Sequence, residues 1–294
     1  MQGKVTPAVG IVILMVAATS FAANHVSARI AFDHGASVAA GVVTRATGTA
    51  LVLLLLMKLQ GVALSVPRAL LPRLAGAGLL VAVQSYCLYS AVALIPAALA
   101  LLVFQSSAVL YLLLSWAMGK EKPHAMALAP MLLALAGLGL VLNVTPQKFS
   151  VQWAELGTGV LWAAAAAVSF AFVYYANANA LKALDGRLRT FGMTAVTAVV
   201  VLAGSAAADA LAAPRDATGW LGLALLTMFY CIAMTTTFSI LPRVPAASAA
   251  ALNFEPIALL ALGWIFLGQA VTPLQIVGAF ITVGALAWLG LLKK

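Results

Sequence analysis

Residues 94–119, LIPAALALLVFQSSAVLYLLLSWAMG, are echoed 149 positions later by residues 243–268, RVPAASAAALNFEPIALLALGWIFLG. Pro96-Ala97-Ala98 falls on Pro245-Ala246-Ala247 and Gly119 on Gly268. The same shift lays Ser20-Phe21-Ala22 on Ser169-Phe170-Ala171. In an alanine-rich chain one such match means little, but three landmarks sharing one offset indicate a duplication. Both strings are almost wholly apolar over more than the 20 or so residues that a helix needs to cross a bilayer. The composition agrees: of 294 residues 64% are apolar and 8% charged, against about a quarter charged in soluble domains. A soluble enzyme, a nucleic-acid binder and a disordered chain are excluded at this point.

Cutting the chain at its charges, prolines and polar stretches yields ten apolar runs: Pro7–Ile30, Ser37–Met57, Leu74–Leu94, Ala97–Met118, Ala125–Val144, Glu155–Ala176, Leu188–Ala208, Gly219–Leu241, Ala246–Leu267 and Pro273–Leu292. The expected fold class is therefore an all-α integral membrane protein with ten transmembrane helices. Basic residues orient it. Lys4, Lys58, Arg68, Arg73, Lys120, Lys122, Lys182, Arg187, Arg189, Arg243, Lys293 and Lys294 fall on one side, and only Arg29, Lys148 and Arg215 on the other. Lys and Arg accumulate in cytoplasmic loops, so both termini are expected in the cytoplasm of a cell (inner) membrane. The net charge of +9 is thus read as topology rather than as a nucleic-acid footprint. Lys4, the following apolar run and Ser20-Phe21-Ala22-Ala23 mimic a cleaved signal peptide, but the repeat requires the segment to be kept.

The offset spans five runs, and an odd number reverses direction across the bilayer. Residues 1–146 and 147–294 are then two inverted five-helix repeats in one membrane domain, an arrangement that secondary transporters use for alternating access. Catalysis finds no support: no Gly-X-Ser-X-Gly, two-histidine metal or phosphate-loop motif is present. His25, His34 and His124 are too scattered for a metal site, and Cys87 and Cys231 lie within apolar runs as small hydrophobes. No cofactor, metal or catalytic residue is expected. The expected partners are a small-molecule substrate and the lipid bilayer.

The second copy also carries Val244-Pro245-Ala246-Ala247, Phe254-Glu255-Pro256, Leu262-Gly263-Trp264-Ile265-Phe266-Leu267-Gly268 and Gln275-Ile276-Val277-Gly278-Ala279. With Ile95-Pro96-Ala97-Ala98, Leu113-Leu114-Ser115-Trp116, Gly119-Lys120-Glu121-Lys122 and Arg45 in the first copy, these stretches resemble the EamA repeat. The likeness covers nearly the whole chain and implies a ten-span exporter of the drug/metabolite transporter superfamily, most similar to its aromatic amino-acid exporter branch. Two positions depart from the pattern: Gln269 stands where Glu often follows Gly, and Ser106-Ser107 stands where the second copy has Glu255-Pro256.

Polar residues inside spans are the candidate site markers, because each is costly in hydrocarbon without a partner or water. Gln84, Gln105, Glu255 and Trp162 are expected near the midplane, with Asn24 and His25 nearer the outer end. Arg45 and Glu255 are the two charges placed deep in spans. They are read first as a neutralising pair or as charges held separately by backbone and helix ends, and second as a site in which Glu255 couples protons. Gln84 and Gln105 suit a zwitterionic ligand or interhelical hydrogen bonding. Ser107 and Tyr111 share a face with Ser115, and Ser20, Asn24 and Ser27 share another. Trp162, Tyr86, Tyr89 and Tyr230, with Asn253, complete the cavity candidates. Pro96, Pro245 and Pro256 are hinge or kink candidates. The charge-poor interior favours a neutral zwitterion or apolar compound, and the resemblance implies a neutral amino acid, aromatic or otherwise, with drug-like cations or other small metabolites as the alternative cargo.

Overall fold

The computed structural model describes residues 6–119, 125–141, 149–240 and 251–292. All regular elements among them are helical: α1 (Pro7–Asp33), α2 (Val38–Leu59), α3 (Leu71–Leu94), α4 (Ala97–Phe104), α5 (Ser107–Ala117), α6 (Ala125–Val141), α7 (Phe149–Tyr175), α8 (Gly186–Ala207), α9 (Ala217–Ile240), α10 (Glu255–Leu267) and α11 (Pro273–Leu292). A 3-10 turn, Arg68–Leu70, leads into α3, and a π turn, Ala176–Ala180, extends α7. Helices are what an apolar chain must form in lipid, since each satisfies its own backbone. Among the described residues seven helices are long and apolar enough to cross a membrane. One of these, Ala97–Ala117, combines α4 and α5; residues Ala251–Leu267 and Pro273–Trp288 are apolar but shorter.

The 149-residue offset recurs in the helix boundaries. Shifted by it, α2 would cover 187–208, and α8 covers Gly186–Ala207. Shifted α3 would cover 220–243, and α9 covers Ala217–Ile240. Packing is reciprocal as well: α1 lies on α9 as α7 lies on α3, while α2 pairs with α8 and α6 with α11. An operation that exchanges partners in this way is its own inverse, which is the property of a twofold axis.

Small residues let these helices approach closely, the usual device where lipid supplies no hydrophobic drive for association. A Cβ on Gly222 of α9 would stand 2.8 Å from the backbone N of Ala31 on α1, and one on Gly137 of α6 would stand 2.8 Å from the backbone O of Gly278 on α11. The fourth expected span is interrupted where Gln105 and Ser106 tighten the chain through i to i+3 hydrogen bonds, Ser106 N to Val103 O and Ala108 N to Gln105 O. A 3-10 turn over 251–254 meets α10 at Glu255, the same register in the other half. Pro256 therefore does not kink a helix from inside. It occupies the first turn of α10, where its missing N–H leaves no bond unmade.

The two ends of the bundle differ in which loops meet. At one end the α1–α2 turn lies on the α8–α9 loop: His34 Nδ1 is 2.7 Å from Asp216 Oδ2, and Ser37 N donates to Ala212 O. Asp216 is held below the usual carboxylate range by the Gly219 N–H and by His34. At the other end Arg187 reaches Gln60. There Asp185 caps α8 by accepting from Arg187 N, and the Arg187 side chain holds its carboxyl down at about 2.

Candidate functional site

Beneath the His34–Asp216 end, helices from both halves bring polar side chains into one cluster. At about 1.5 Å per residue, Asn24, Arg45 and Tyr89 sit about 8 to 14 Å below the ends of α1, α2 and α3. Arg45 is 95% buried yet shares none of the ion pairs of the described residues. Its guanidinium lies over two tyrosine rings, 4.3 Å from the centroid of Tyr230 and 4.8 Å from that of Tyr89, and donates to Ser85 Oγ at 2.6 Å. Aromatic faces attract cations most strongly when both are desolvated, so the two rings hold the charge without cancelling it. Arg45 Nε has no hydrogen-bond partner.

Tyr89, fully buried, donates its hydroxyl to Asn24 Oδ1 at 3.0 Å, and Asn24 Nδ2 donates to Leu226 O on α9 at 2.7 Å. The Ser85 hydroxyl in turn donates to Gln84 Oε1 at 3.2 Å. Glu255, at the start of α10, is not the partner of Arg45. Its Oε1 stands 3.4 Å from His25 Nε2, an ion pair when the imidazole is protonated, and His25 Nδ1 is unpartnered. Tyr230 lies within the electrostatic reach of both Arg45 and Glu255, and its ring meets Phe21 edge-on. Of the two arrangements expected for Arg45 and Glu255, a neutralising pair or charges held separately, the structure has the second: Arg45 on tyrosine rings and Glu255 on His25.

The sequence candidates divide accordingly. Asn24, His25, Arg45, Gln84, Tyr89, Tyr230 and Glu255 come together. Gln105 does not: with Ser106 it borders a small crevice lined by Leu102, Val109, Ala134 and Thr282. Ser107 is buried at the start of α5, and Tyr111 faces Tyr174 at 5.8 Å. Trp162 and Tyr86 pack edge-on against each other at 6.3 Å, each more than a third exposed, and Tyr86 also lines an open pocket between α3 and α8 with Leu79, Ala82, Val200 and Ser205. Asn253 is half-buried in the turn before α10. Pro96 marks the break between α3 and α4, while Pro245 lies outside the described residues. Ser85 was missed by the sequence reading, although its i, i+4 spacing from Tyr89 places both on one face of α3.

The model of the EamA-like transporter family matches residues 8–143 and again residues 157–291. The chain belongs to the EamA-like transporter family. It is a multi-pass membrane transporter of the drug/metabolite transporter superfamily and not an enzyme. A solved structure described as "Crystal structure of protein" superposes with a TM-score of 0.66, covering 96% of this chain and 96% of its own at 20% identity, which is a likeness of fold. Among curated proteins no match was found. The two EamA matches divide the cluster: Asn24, His25, Arg45, Gln84, Ser85 and Tyr89 belong to the first, Tyr230 and Glu255 to the second. Any movement of one EamA half against the other therefore changes the site.

Proposed function

We propose that this EamA-family protein exports neutral amino acids, aromatic ones included, by alternating access through the cluster around Arg45, Tyr230 and Glu255. The observation that carries the reading is the charge pattern of that cluster: one buried cation against the Tyr230 ring and one carboxylate paired with His25, on helices of different halves. A zwitterion with an apolar side chain matches it, because both charges of the cargo find an opposite and the remainder finds rings. A phosphorylated cargo would call for several Arg or Lys, and the cluster has one.

The same proposal includes the membrane arrangement. The shorter apolar helices α6, α10 with its preceding turn, and α11 would raise seven spans to ten; α6 alone reaches about 25 Å at 1.5 Å per residue. Residues 1–146 and 147–294 are then five-span halves of opposite orientation, with both termini cytoplasmic in the cell (inner) membrane. The recurring helix boundaries and reciprocal packing support this.

Counterflow in proteoliposomes tests the cargo. Labelled phenylalanine and threonine should exchange against unlabelled amino acid with saturation. Exchange of a quaternary amine alone would replace the amino-acid reading with cation export, and flux without saturation or counterflow would make the protein a channel.

A further inference from the structure

The cluster is confined to one arrangement of a fold built twice. Shifted by 149 positions, Asn24, His25, Arg45, Ser85 and Tyr89 fall on Val173, Tyr174, Thr194, Met234 and Phe238, and Glu255 falls back on Ser106. At the position matching Arg45, Thr194 is satisfied within its own helix by Thr190 O. The helical scaffold therefore closes without a cation at this register. A structural role for Arg45 is weakened further by its own bonding. A buried guanidinium kept for packing should have its donors paired, yet Arg45 Nε has no partner and, among the described residues, no carboxylate pairs with the charge.

We propose that Arg45 is the residue that receives the carboxylate of the transported amino acid, and that Glu255, steadied by His25, receives its ammonium. The inference rests on the amino-acid reading above and adds orientation to it. The guanidinium carbon lies over the rings of Tyr89 and Tyr230, and a carboxylate binds an arginine through its N–H donors. Ser85 accepts from Nη2, and the Nε–H, without a partner in the protein, is a donor free for the ligand. A monoanion alone would meet Arg45 but be repelled by Glu255, and a dianion more so. A cation alone would meet the reverse. Only a ligand carrying both charges leaves the site neutral throughout.

The test is competition against labelled phenylalanine counterflow by phenylalanine, phenylalaninamide and N-acetylphenylalanine. In the unmodified protein, loss of the carboxylate or of the ammonium should each weaken competition by about tenfold or more, the scale of one lost charge-assisted contact. Arg45→Gln should make the acid and its amide compete alike while keeping the penalty for N-acetylation. Glu255→Gln should do the opposite. A purely structural arginine would lower all three ligands by one common factor, and that result, or an unmodified protein that treats the amide as well as the acid, would overturn the assignment. If Arg45→Gln does not fold, the ligand series on the unmodified protein and on Arg45→Lys still decides, because a retained point charge should preserve the order of ligands. Absence of phenylalanine exchange altogether, with the amine exchanging, would remove the amino-acid reading itself.

Discussion

Replacing Gly222 with leucine should abolish the folded protein, seen as loss of the monodisperse peak of detergent-solubilised material. The added side chain would start 2.8 Å from Ala31 N and 3.0 Å from Ser27 O. These are backbone atoms of α1, which no rotamer change can move aside. Overpacking that side chains can absorb costs roughly 1–3 kcal/mol, and here the α1–α9 contact itself must separate. That contact carries the Asn24 to Leu226 hydrogen bond, so the polar cluster would open with it. Gly76 provides the control: nothing lies within 4 Å of a Cβ there, and Gly76→Leu should leave the peak in place. Folded Gly222→Leu protein would show that the packing of α1 on α9 is not as described.

Tyr89 should show the second large effect, split between its ring and its hydroxyl. Tyr89→Ala removes a fully buried ring that packs on His25, Phe32 and the Arg45 guanidinium. Loss of such a ring from a packed interior costs about 3–5 kcal/mol, and Arg45 loses one of its two aromatic faces besides. Tyr89→Phe keeps the ring and removes only the hydroxyl that serves Asn24 Oδ1 and the Arg45 side chain, a loss of about 1–3 kcal/mol. Thermal unfolding in one detergent should therefore rank the unmodified protein above Tyr89→Phe, and Tyr89→Phe well above Tyr89→Ala. Equal losses for the two variants would mean that the hydroxyl, and not the ring, holds Arg45.

Helix boundaries were legible from the residues, and rotation about a helix axis was not. The offset read from Pro96-Ala97-Ala98 and Ser20-Phe21-Ala22 reappears in the boundaries of α2 and α8 to within a residue. Burial of Ser20, Asn24 and Ser27 on one face of α1 follows from their spacing. Trp162 illustrates the limit. In a soluble helix a polar face would reveal which side points outward, but α7 is flanked by lipid and protein that are equally apolar. Its alanines and Trp162 carry no mark of azimuth, and the ring packs against Tyr86 rather than in the Arg45 cluster. Arg45 and Glu255 show the same limit, because which of two charges meets which partner depends on how three helices are turned. The interruption at Gln105–Ser106 was hidden for another reason: no glycine or proline stands there, and a tightened turn leaves the chain helical in pattern.

Opposite orientation of the two halves is the premise of the whole account, and cysteine accessibility at matched loops tests it most directly. With Cys87 and Cys231 replaced by alanine, single cysteines are placed at Ser65, in the α2–α3 connection, and at Ala213, in the corresponding α8–α9 loop; both positions are exposed. A membrane-impermeant maleimide should label the cysteine at 213 in intact cells and the cysteine at 65 only after the membrane is opened. Labelling of both from the same side would mean parallel halves, and an alternating-access exporter could not be built on them in the manner described.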